Sequence, residues 1–231
     1  MIMRLFFLAC LTLLISCSSS APFHTILGSN YGWSRSGIQI LLDAQIDKLR
    51  VRQVRMPDND CVVGYTEHLE IAGEIGPDST AAIARLLPQL SRCNNAQGVH
   101  VVNTVYLSSG GGYLSDGYAL GELFKKYSIQ TSVTNNQICA SSCAIAFLGG
   151  RYRTMTGSAK LMFHAPYTGN RLAIDCTDRG QVSELRNYYV SVLGENDANF
   201  LLDRTLSYCS ANSGWTLNAD GAKLFGITTS P

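Results

Sequence analysis

The chain has 231 residues, of which 46% are hydrophobic and 15% are charged. Its 18 lysines and arginines nearly balance its 17 acidic residues, which leaves a net charge of +1. That balance excludes nucleic-acid binding driven by overall charge, and it provides no attraction to anionic lipids. The length suits one domain with a sizeable core and is short for two.

The first residues predict a targeting segment. An arginine precedes the apolar run from Leu5 to Ile15, which is too short to span a bilayer and is typical of a secretory signal. The run leads into Leu14-Ile-Ser-Cys17, which resembles the bacterial lipobox, where cleavage precedes a cysteine that becomes acylated. We therefore predict a lipoprotein signal peptide over residues 1–16 and a lipidated Cys17, with an ordinary signal peptide as the alternative.

This anchor predicts where the mature protein lies. Several acyl chains hold a protein stably at a membrane, whereas one chain binds only marginally. Ser18 follows the cysteine, and a residue other than an acidic one at this place resembles the pattern sorted to the outer membrane. We expect a lipid-anchored protein of the bacterial cell envelope, at the periplasmic face of the outer membrane.

Regular structure is predicted weakly at first and clearly from Tyr65 onward. Residues 17–60 are polar and weakly periodic, and they predict a tether and N-terminal extension with a short helix around Ile38 to Leu49. A strand is expected from about His68 to Ile75. A Gly-Pro-Asp-Ser turn then caps a helix with apolar residues at helical spacing, and Pro88 should kink that helix or end it.

The central and C-terminal segments alternate strands with helices. An apolar run from Val101 to Leu107 is typical of a strand covered on both faces, and a glycine run and a helix follow it. Further elements are expected as a strand at 130–133, a helix at 141–148, a strand at 160–164 and two helical runs separated at Gly194. This alternation indicates an α/β fold.

Six cysteines remain once Cys10 in the signal and Cys17 are set aside. An even number in an oxidising envelope favours disulfides, and no spacing among them is typical of a zinc site. We predict two bridges that each bracket a structural unit, and a third between two cysteines four residues apart across a turn. The predicted pairs are Cys61 with Cys93, Cys176 with Cys209, and Cys139 with Cys143.

Four motifs resemble the Clp protease proteolytic subunit, in that family's order. Leu107-Ser-Ser-Gly-Gly-Gly-Tyr-Leu-Ser-Asp-Gly is similar to its oxyanion-hole turn, and Cys139-Ala-Ser-Ser-Cys-Ala to its Ala-Ala-Ser turn. Met162-Phe-His-Ala-Pro resembles its Met-Ile-His-Gln-Pro, and Leu217-Asn-Ala-Asp-Gly resembles the start of its last helix. The resemblance covers about His68 to Ile227. The cysteines around the serine make the chain similar to envelope members of the superfamily.

The resemblance implies a fold and a set of site residues. The fold is a ClpP/crotonase-like spiral of β-β-α units, a single domain over 61–231 behind the short extension. Ser141 falls on the nucleophilic serine, with Ser142 as the alternative, and His164 falls on the base that takes its proton. Gly111, Gly112 and Ser142 would line the oxyanion site, where backbone N–H groups stabilise the developing charge.

The third member of the triad departs from the family pattern. The family's aspartate should come shortly before the last helix, but the segment from Ser207 to Asn212 carries no carboxylate. Asn212 is the predicted orienting group, while Ser210, Asp203 and Asp175 remain alternatives. An absent acid can cost a serine protease about ten-thousand-fold in rate.

Several functions therefore stay open. The leading prediction is an envelope serine hydrolase, a peptidase that acts on peptides or proteins and needs no cofactor or metal. The alternatives are a catalytically silent binding or assembly module and, from the crotonase branch, acyl-thioester chemistry. A nucleophilic Cys139 or Cys143, or a dyad with Lys160, is a further variant at the site. The resemblance is also compatible with a homo-oligomer, and the sequence gives no substrate.

Overall fold

The computed structural model describes residues 37–170 and 173–229. The predicted signal peptide, Cys17 and residues 18–36 of the predicted tether lie outside the described residues.

The described chain forms thirteen strands and six α-helices. The strands are β1 (Gln39–Ile46), β2 (Leu49–Pro57), β3 (Tyr65–Ile75), β4 (Cys93–Asn94), β5 (His100–Val101), β6 (Thr104–Gly112), β7 (Gln130–Val133), β8 (Ile138–Ala140), β9 (Tyr152–Met155), β10 (Lys160–Phe163), β11 (Thr168–Asn170), β12 (Ala173–Asp175) and β13 (Trp215–Leu217). The helices are α1 (Pro77–Leu86), α2 (Leu114–Lys126), α3 (Ser142–Leu148), α4 (Arg179–Leu193), α5 (Glu195–Leu206) and α6 (Ala219–Leu224).

Nine of these strands form one mixed sheet in the order β1-β2-β3-β6-β8-β10-β13, with β7 and β9 branching from β6. Strand β6 divides its pairing: Thr104 to Tyr106 pair with β7, and Ser109 further along pairs with Cys139 of β8. Both of these pairings are parallel. Because β6 changes its partner from β7 to β8, its carboxyl end lies next to the end of β8. The expected α/β fold with repeated strand-helix units is confirmed.

The helix expected around Ile38 to Leu49 is wrong. The segment forms the antiparallel hairpin β1–β2, with Asp47 at φ +52° in its two-residue turn. Strand β2 then pairs with β3 along its whole length, so the hairpin extends the main sheet. Leu42, Ala44 and Ile46 are the more buried residues of β1 and alternate with exposed ones, which is the period of a strand. This alternation and the pairing of β2 with β3 outweigh the helical spacing.

Other boundaries follow the predicted pattern closely. Helix α1 ends at Leu86, and a 3₁₀ turn over Leu87–Gln89 contains Pro88. The strand expected over residues 101–107 lies at 104–112, because the glycine run continues the strand instead of terminating it. Gly194 separates α4 from α5, as predicted. No helix within the described ranges is long and apolar enough to cross a membrane.

Three disulfides join the cysteine pairs that the sequence suggests. Their Cα–Cα distances are 5.4 Å for Cys61–Cys93, 5.1 Å for Cys139–Cys143 and 5.9 Å for Cys176–Cys209. All three distances lie within the usual disulfide range. The last bridge closes the α4–α5 unit at its base, and the second spans the turn from β8 into α3.

Candidate active site

The turn between β8 and α3 holds Ser141 in an unusual backbone conformation. Its φ of +56° and ψ of −128° lie outside the regions that ordinary residues adopt. Its N–H donates to the carbonyl of Met162 at 2.8 Å, and its carbonyl accepts from the N–H of Ile145 at 3.1 Å. Strained residues of this kind persist where the surroundings hold them, and they concentrate at functional sites.

The neighbouring Ser142 faces the core instead. Its side chain is buried, and among the described residues its Oγ has no hydrogen-bond partner. The Ser142 side chain packs against Gly117 of α2, so closely that a Cβ added to Gly117 would lie 2.9 Å from the Cβ of Ser142. Ser141, by contrast, lines an open cavity. The two adjacent serines therefore point into different environments.

The glycine turn at the end of β6 lies directly beside Ser141. A Cβ added to Gly111 would lie 2.6 Å from the Cβ of Ser141, and the φ of +109° at this position also favours glycine. Gly112 has a φ of +153°, and a Cβ there would collide with the carbonyl of Ile75. A side chain at Gly111 would close the space next to the serine hydroxyl, and one at Gly112 would displace the backbone of β3.

The two glycines differ in their hydrogen bonding. The N–H of Gly111 donates to the Oγ of Ser109 at 3.0 Å, so this donor is already used inside the turn. Gly112 lines the cavity together with Ser141. The N–H groups of Gly112 and of Ser142, at the first turn of α3, stay the predicted oxyanion donors.

His164 follows β10 and borders the same cavity as Ser141. Its Nδ1 lies 2.9 Å from the carbonyl oxygen of Ala165. A carbonyl can only accept a hydrogen bond, so Nδ1 must carry the proton. In the neutral ring, Nε2 then holds the free lone pair, which is the form that a general base needs. Tyr167 packs against the ring, with 5.6 Å between ring centroids.

The cavity has a volume of about 400 Å³. Its lining residues come from the glycine turn, α2, α3, the end of β10 and α4: Gly112, Tyr113, Leu114, Ser115, Ser141, Ile145, Phe163, His164, Pro166, Tyr167, Gln181, Glu184 and Leu185. A second and more open hollow of about 640 Å³ extends from Ser141 and His164 toward Glu74 and Ala211. In the part of the chain that the structure describes, no hydrogen bond joins Ser141 to His164.

No carboxylate stands behind His164 among the described residues. Asn212 is exposed, and the contact recorded for it is a backbone N–H that donates to the Oγ of Ser210. Asp175 accepts from the N–H and Oγ1 of Thr177, contacts that lower the pKa of its carboxyl group. Asp203 is an exposed residue of α5. The predicted orienting role of Asn212 has no supporting contact, and the Ala165 carbonyl occupies that place.

Sequence reasoning missed Ala165 for a clear physical reason. A backbone carbonyl is present at every position, so no residue type could indicate that this one would meet the imidazole. Tyr113 is 60% exposed and lines the cavity. The signal for Tyr113 was its place directly after the glycine turn.

The alternative nucleophiles are differently placed. The sulfurs of Cys139 and Cys143 are bonded to each other and fully buried, which leaves no thiol beside Ser141. Lys160 lies exposed on β10. His68 and His100 hydrogen-bond elsewhere, to Thr66 and to the carbonyl of Cys93. Within the described ranges, no group of three or more histidine, cysteine or acidic side chains could hold a metal ion.

Comparison with solved structures identifies the fold. ClpP1 from Listeria monocytogenes is similar over 70% of this chain and 88% of its own, with 15% identity and a TM-score of 0.50. A mutant of that protein gives a TM-score of 0.52 at 16% identity over the same shares. The 1510-N membrane-bound stomatin-specific protease, in complex with a substrate peptide, gives 0.52 at 14% identity over 69% of this chain and 71% of its own.

These likenesses show a ClpP-like fold. A comparison with protein-family models gives no match, and a comparison with curated proteins gives none either.

Proposed function

We propose that the protein is a serine hydrolase that cleaves peptide bonds, with Ser141 as nucleophile and His164 as general base. The observation that carries the proposal is the shared cavity: a serine in a positive-φ turn and a histidine with its Nε2 lone pair free border one space beside a glycine turn. The fold is that of ClpP-type proteases, and one similar protein is described with a substrate peptide. Both facts favour a peptide substrate.

The chemistry follows from these groups. Nε2 of His164 removes the hydroxyl proton as Oγ of Ser141 forms a bond to the substrate carbonyl carbon. The carbonyl oxygen becomes negative, and the amides of Gly112 and Ser142 are the donors that would stabilise it. When the carbon–nitrogen bond breaks, the imidazolium returns its proton to the leaving amine. Water then attacks the acyl-enzyme by the same proton route and releases Ser141.

The Ala165 carbonyl does part of the work of a triad aspartate. It holds the proton on Nδ1, so the ring presents the correct tautomer. In a serine protease, much of the loss of about ten-thousand-fold on replacing the aspartate comes from the wrong tautomer. The carbonyl carries no full negative charge, so it stabilises the imidazolium less than a carboxylate does. We expect the turnover number to be lower than that of an enzyme with a complete triad and higher than that of an enzyme whose histidine is in the wrong tautomer.

Labelling with a fluorophosphonate serine probe tests the proposal. The wild-type protein should be labelled on Ser141, and Ser141→Ala and His164→Ala should abolish labelling. Ser142→Ala should keep it, because that side chain faces Gly117 and the backbone amide remains. Absence of labelling in a folded wild-type protein would favour the silent binding or assembly module, for which the missing carboxylate is the structural argument.

We further propose that the protein is lipid-anchored in the bacterial envelope through Cys17. Three disulfides in one domain support an oxidising compartment. Cys17→Ala should release the protein from membranes or leave it unprocessed when it is expressed in a bacterium. A mature amino terminus without acyl mass in mass spectrometry would exclude the anchor. The homo-oligomer stays a prediction that light scattering can measure.

A further inference from the structure

The cavity beside Ser141 combines an apolar wall with one carboxylate that no cation of the described residues pairs with. Leu114, Ile145, Phe163 and Leu185 line it, and Glu184 of α4 lies at its border. Of the described lining residues, none is a lysine or an arginine. Glu184 is therefore the charged group, among the described lining residues, that a substrate side chain in this cavity would meet.

Helix α4 fixes Glu184 at this position. Gln181, Glu184, Leu185 and Tyr188 fall on one face of α4, at helical spacing. Leu185 and Tyr188 are buried, and the Tyr188 hydroxyl donates to the carbonyl of Ile145 at 2.9 Å. The face is thus packed on α3, the helix that begins next to Ser141. Because Leu185 and Tyr188 are buried, the backbone of α4 is fixed, and it presents the exposed Glu184 at the border of the cavity.

No cation within the described ranges neutralises Glu184. On α4 itself, Arg186 pairs with Glu195, and Arg179 lies five residues before Glu184, off the face of the helix that carries it. Lys125 of α2 donates to the carbonyl of Ser191. Glu74, at the other side of Ser141, contrasts with Glu184 because Lys48 pairs with it at 3.1 Å. An exposed carboxylate is ionised at neutral pH. The cavity therefore has a negative charge that a substrate can meet.

We propose that this cavity is the specificity pocket of the site and that Glu184 selects a lysine or arginine side chain at the residue that supplies the scissile carbonyl. This inference rests on the proposed hydrolase function. A volume of about 400 Å³ is within the range of ligand pockets and accommodates a long side chain. Lysine and arginine place apolar stems against apolar surface and extend their charge to polar groups. An acidic side chain would meet like charge and be excluded.

Peptidyl diphenyl phosphonates provide a matched test, because they phosphonylate a serine nucleophile, with loss of phenol, while presenting one chosen side chain. The lysine-like and norleucine-like probes share the same stem length and differ in the charge. The wild-type protein should react about three- to tenfold faster with the lysine-like probe, the range between a surface ion pair and a charged hydrogen bond. Raised ionic strength should reduce this ratio.

Two variants distinguish the effect of Glu184 from the effect of removing a negative charge elsewhere on the protein. Glu184→Gln should bring the ratio to about one, since it removes the charge and keeps the shape. Glu122→Gln is the control, because Glu122 is an exposed glutamate of α2 outside the cavity whose bond to Ser191 an amide oxygen can keep. It should preserve the ratio. A wild-type ratio near one, or a ratio that Glu184→Gln leaves unchanged, overturns the inference.

A small fluorophosphonate without a side chain distinguishes the two proposals. If it labels Ser141 and the cationic preference is absent, the hydrolase stands and the pocket assignment fails. If it labels nothing, the hydrolase proposal fails. Calorimetric measurement of peptide binding to the Ser141→Ala variant then tests the pocket assignment separately. Peptides ending in lysine or norleucine are then compared, and tighter binding of the lysine peptide that Glu184→Gln abolishes supports the pocket. Equal binding excludes it.

Discussion

The Cys139–Cys143 disulfide should matter more for activity than for stability. It joins the last part of β8 to the first turn of α3, on either side of Ser141. The perturbation is the double variant Cys139→Ala/Cys143→Ala. Its matched control is Cys176→Ala/Cys209→Ala, which removes a bridge that closes a much longer loop.

The loop lengths give the expected magnitudes. Sequence separations are 4 for Cys139–Cys143 and 33 for Cys176–Cys209. In the chain-entropy description, the short loop contributes about 2 kcal/mol to the free energy of unfolding and the long loop about 4 kcal/mol. A displacement of about 1 Å at a reacting group can cost about a hundred-fold in rate. Loss of the short bridge frees the turn that holds Ser141 at positive φ.

Two measurements on each double variant test this reasoning. Denaturant unfolding gives the loss of stability, and the rate of fluorophosphonate labelling in the absence of denaturant gives the loss of reactivity. The Cys139/Cys143 variant should be the more stable of the two and the slower to label, by about ten- to a hundred-fold relative to wild type. The reasoning is refuted if that variant labels at the wild-type rate, or if labelling falls in proportion to stability in both.

Two further predictions concern the glycine turn and a buried histidine. Gly111→Ala should abolish labelling while the protein stays folded by circular dichroism, because its Cβ would lie 2.6 Å from that of Ser141; wild-type labelling would contradict it. Burial lowers the pKa of His68 to about 4, so its neutral form should contribute about 3 kcal/mol above pH 6.5 that is lost as pH falls toward 4. The difference in unfolding free energy between wild type and His68→Gln should show this slope, and a pH-independent difference would refute it.

The His68 contacts explain the direction of that effect. Its Nδ1 accepts from the N–H of Thr104 at 3.3 Å, and Nε2 faces the hydroxyl of Thr66 at 2.8 Å. If the ring took up a second proton, at Nδ1, two N–H donors would face each other in a buried place, because the Thr104 N–H already points at that nitrogen. Burial also raises the pKa of Glu70 to about 7, and its titration changes stability in the opposite sense over the same range. Comparison with His68→Gln removes that contribution, because Glu70 is present in both proteins.

The sequence predicted most elements of the core because burial there follows local periodicity. Strands β6, β7 and β10 and helices α2 and α3 carry apolar runs and helical spacings that the structure keeps, whereas the short strands β8 and β9 were not predicted. The hairpin β1–β2 was missed because its apolar residues fit a helical spacing as well as the strand alternation of Leu42, Ala44 and Ile46. The two-residue turn at Asp47 and the long-range pairing of β2 with β3 favour the strand.

The sequence could indicate the features of the site that depend on the type of side chain. Ser141, His164 and Gly112 border one cavity, and each of them stood in a recognisable motif. The contact of Ala165 with the imidazole, and the use of the Gly111 N–H by Ser109, depend on backbone geometry alone. Glu184 lies on a helix whose only sequence signal was amphipathic, so its place at the cavity required the packing of α4 on α3.

The bridge between Cys176 and Cys209 has a consequence for substrate entry. It closes the α4–α5 pair at its base, and Tyr189 inside the pair contacts the hydroxyl of Thr205 at 3.1 Å. The bridge holds the two helices together, and buried Leu185 and the hydrogen bond from Tyr188 to the Ile145 carbonyl fix them on α3, so the pair cannot swing outward as a hinged cover. Substrate association should then proceed without a preceding opening step, and observed association rates should rise linearly with peptide concentration instead of reaching a plateau.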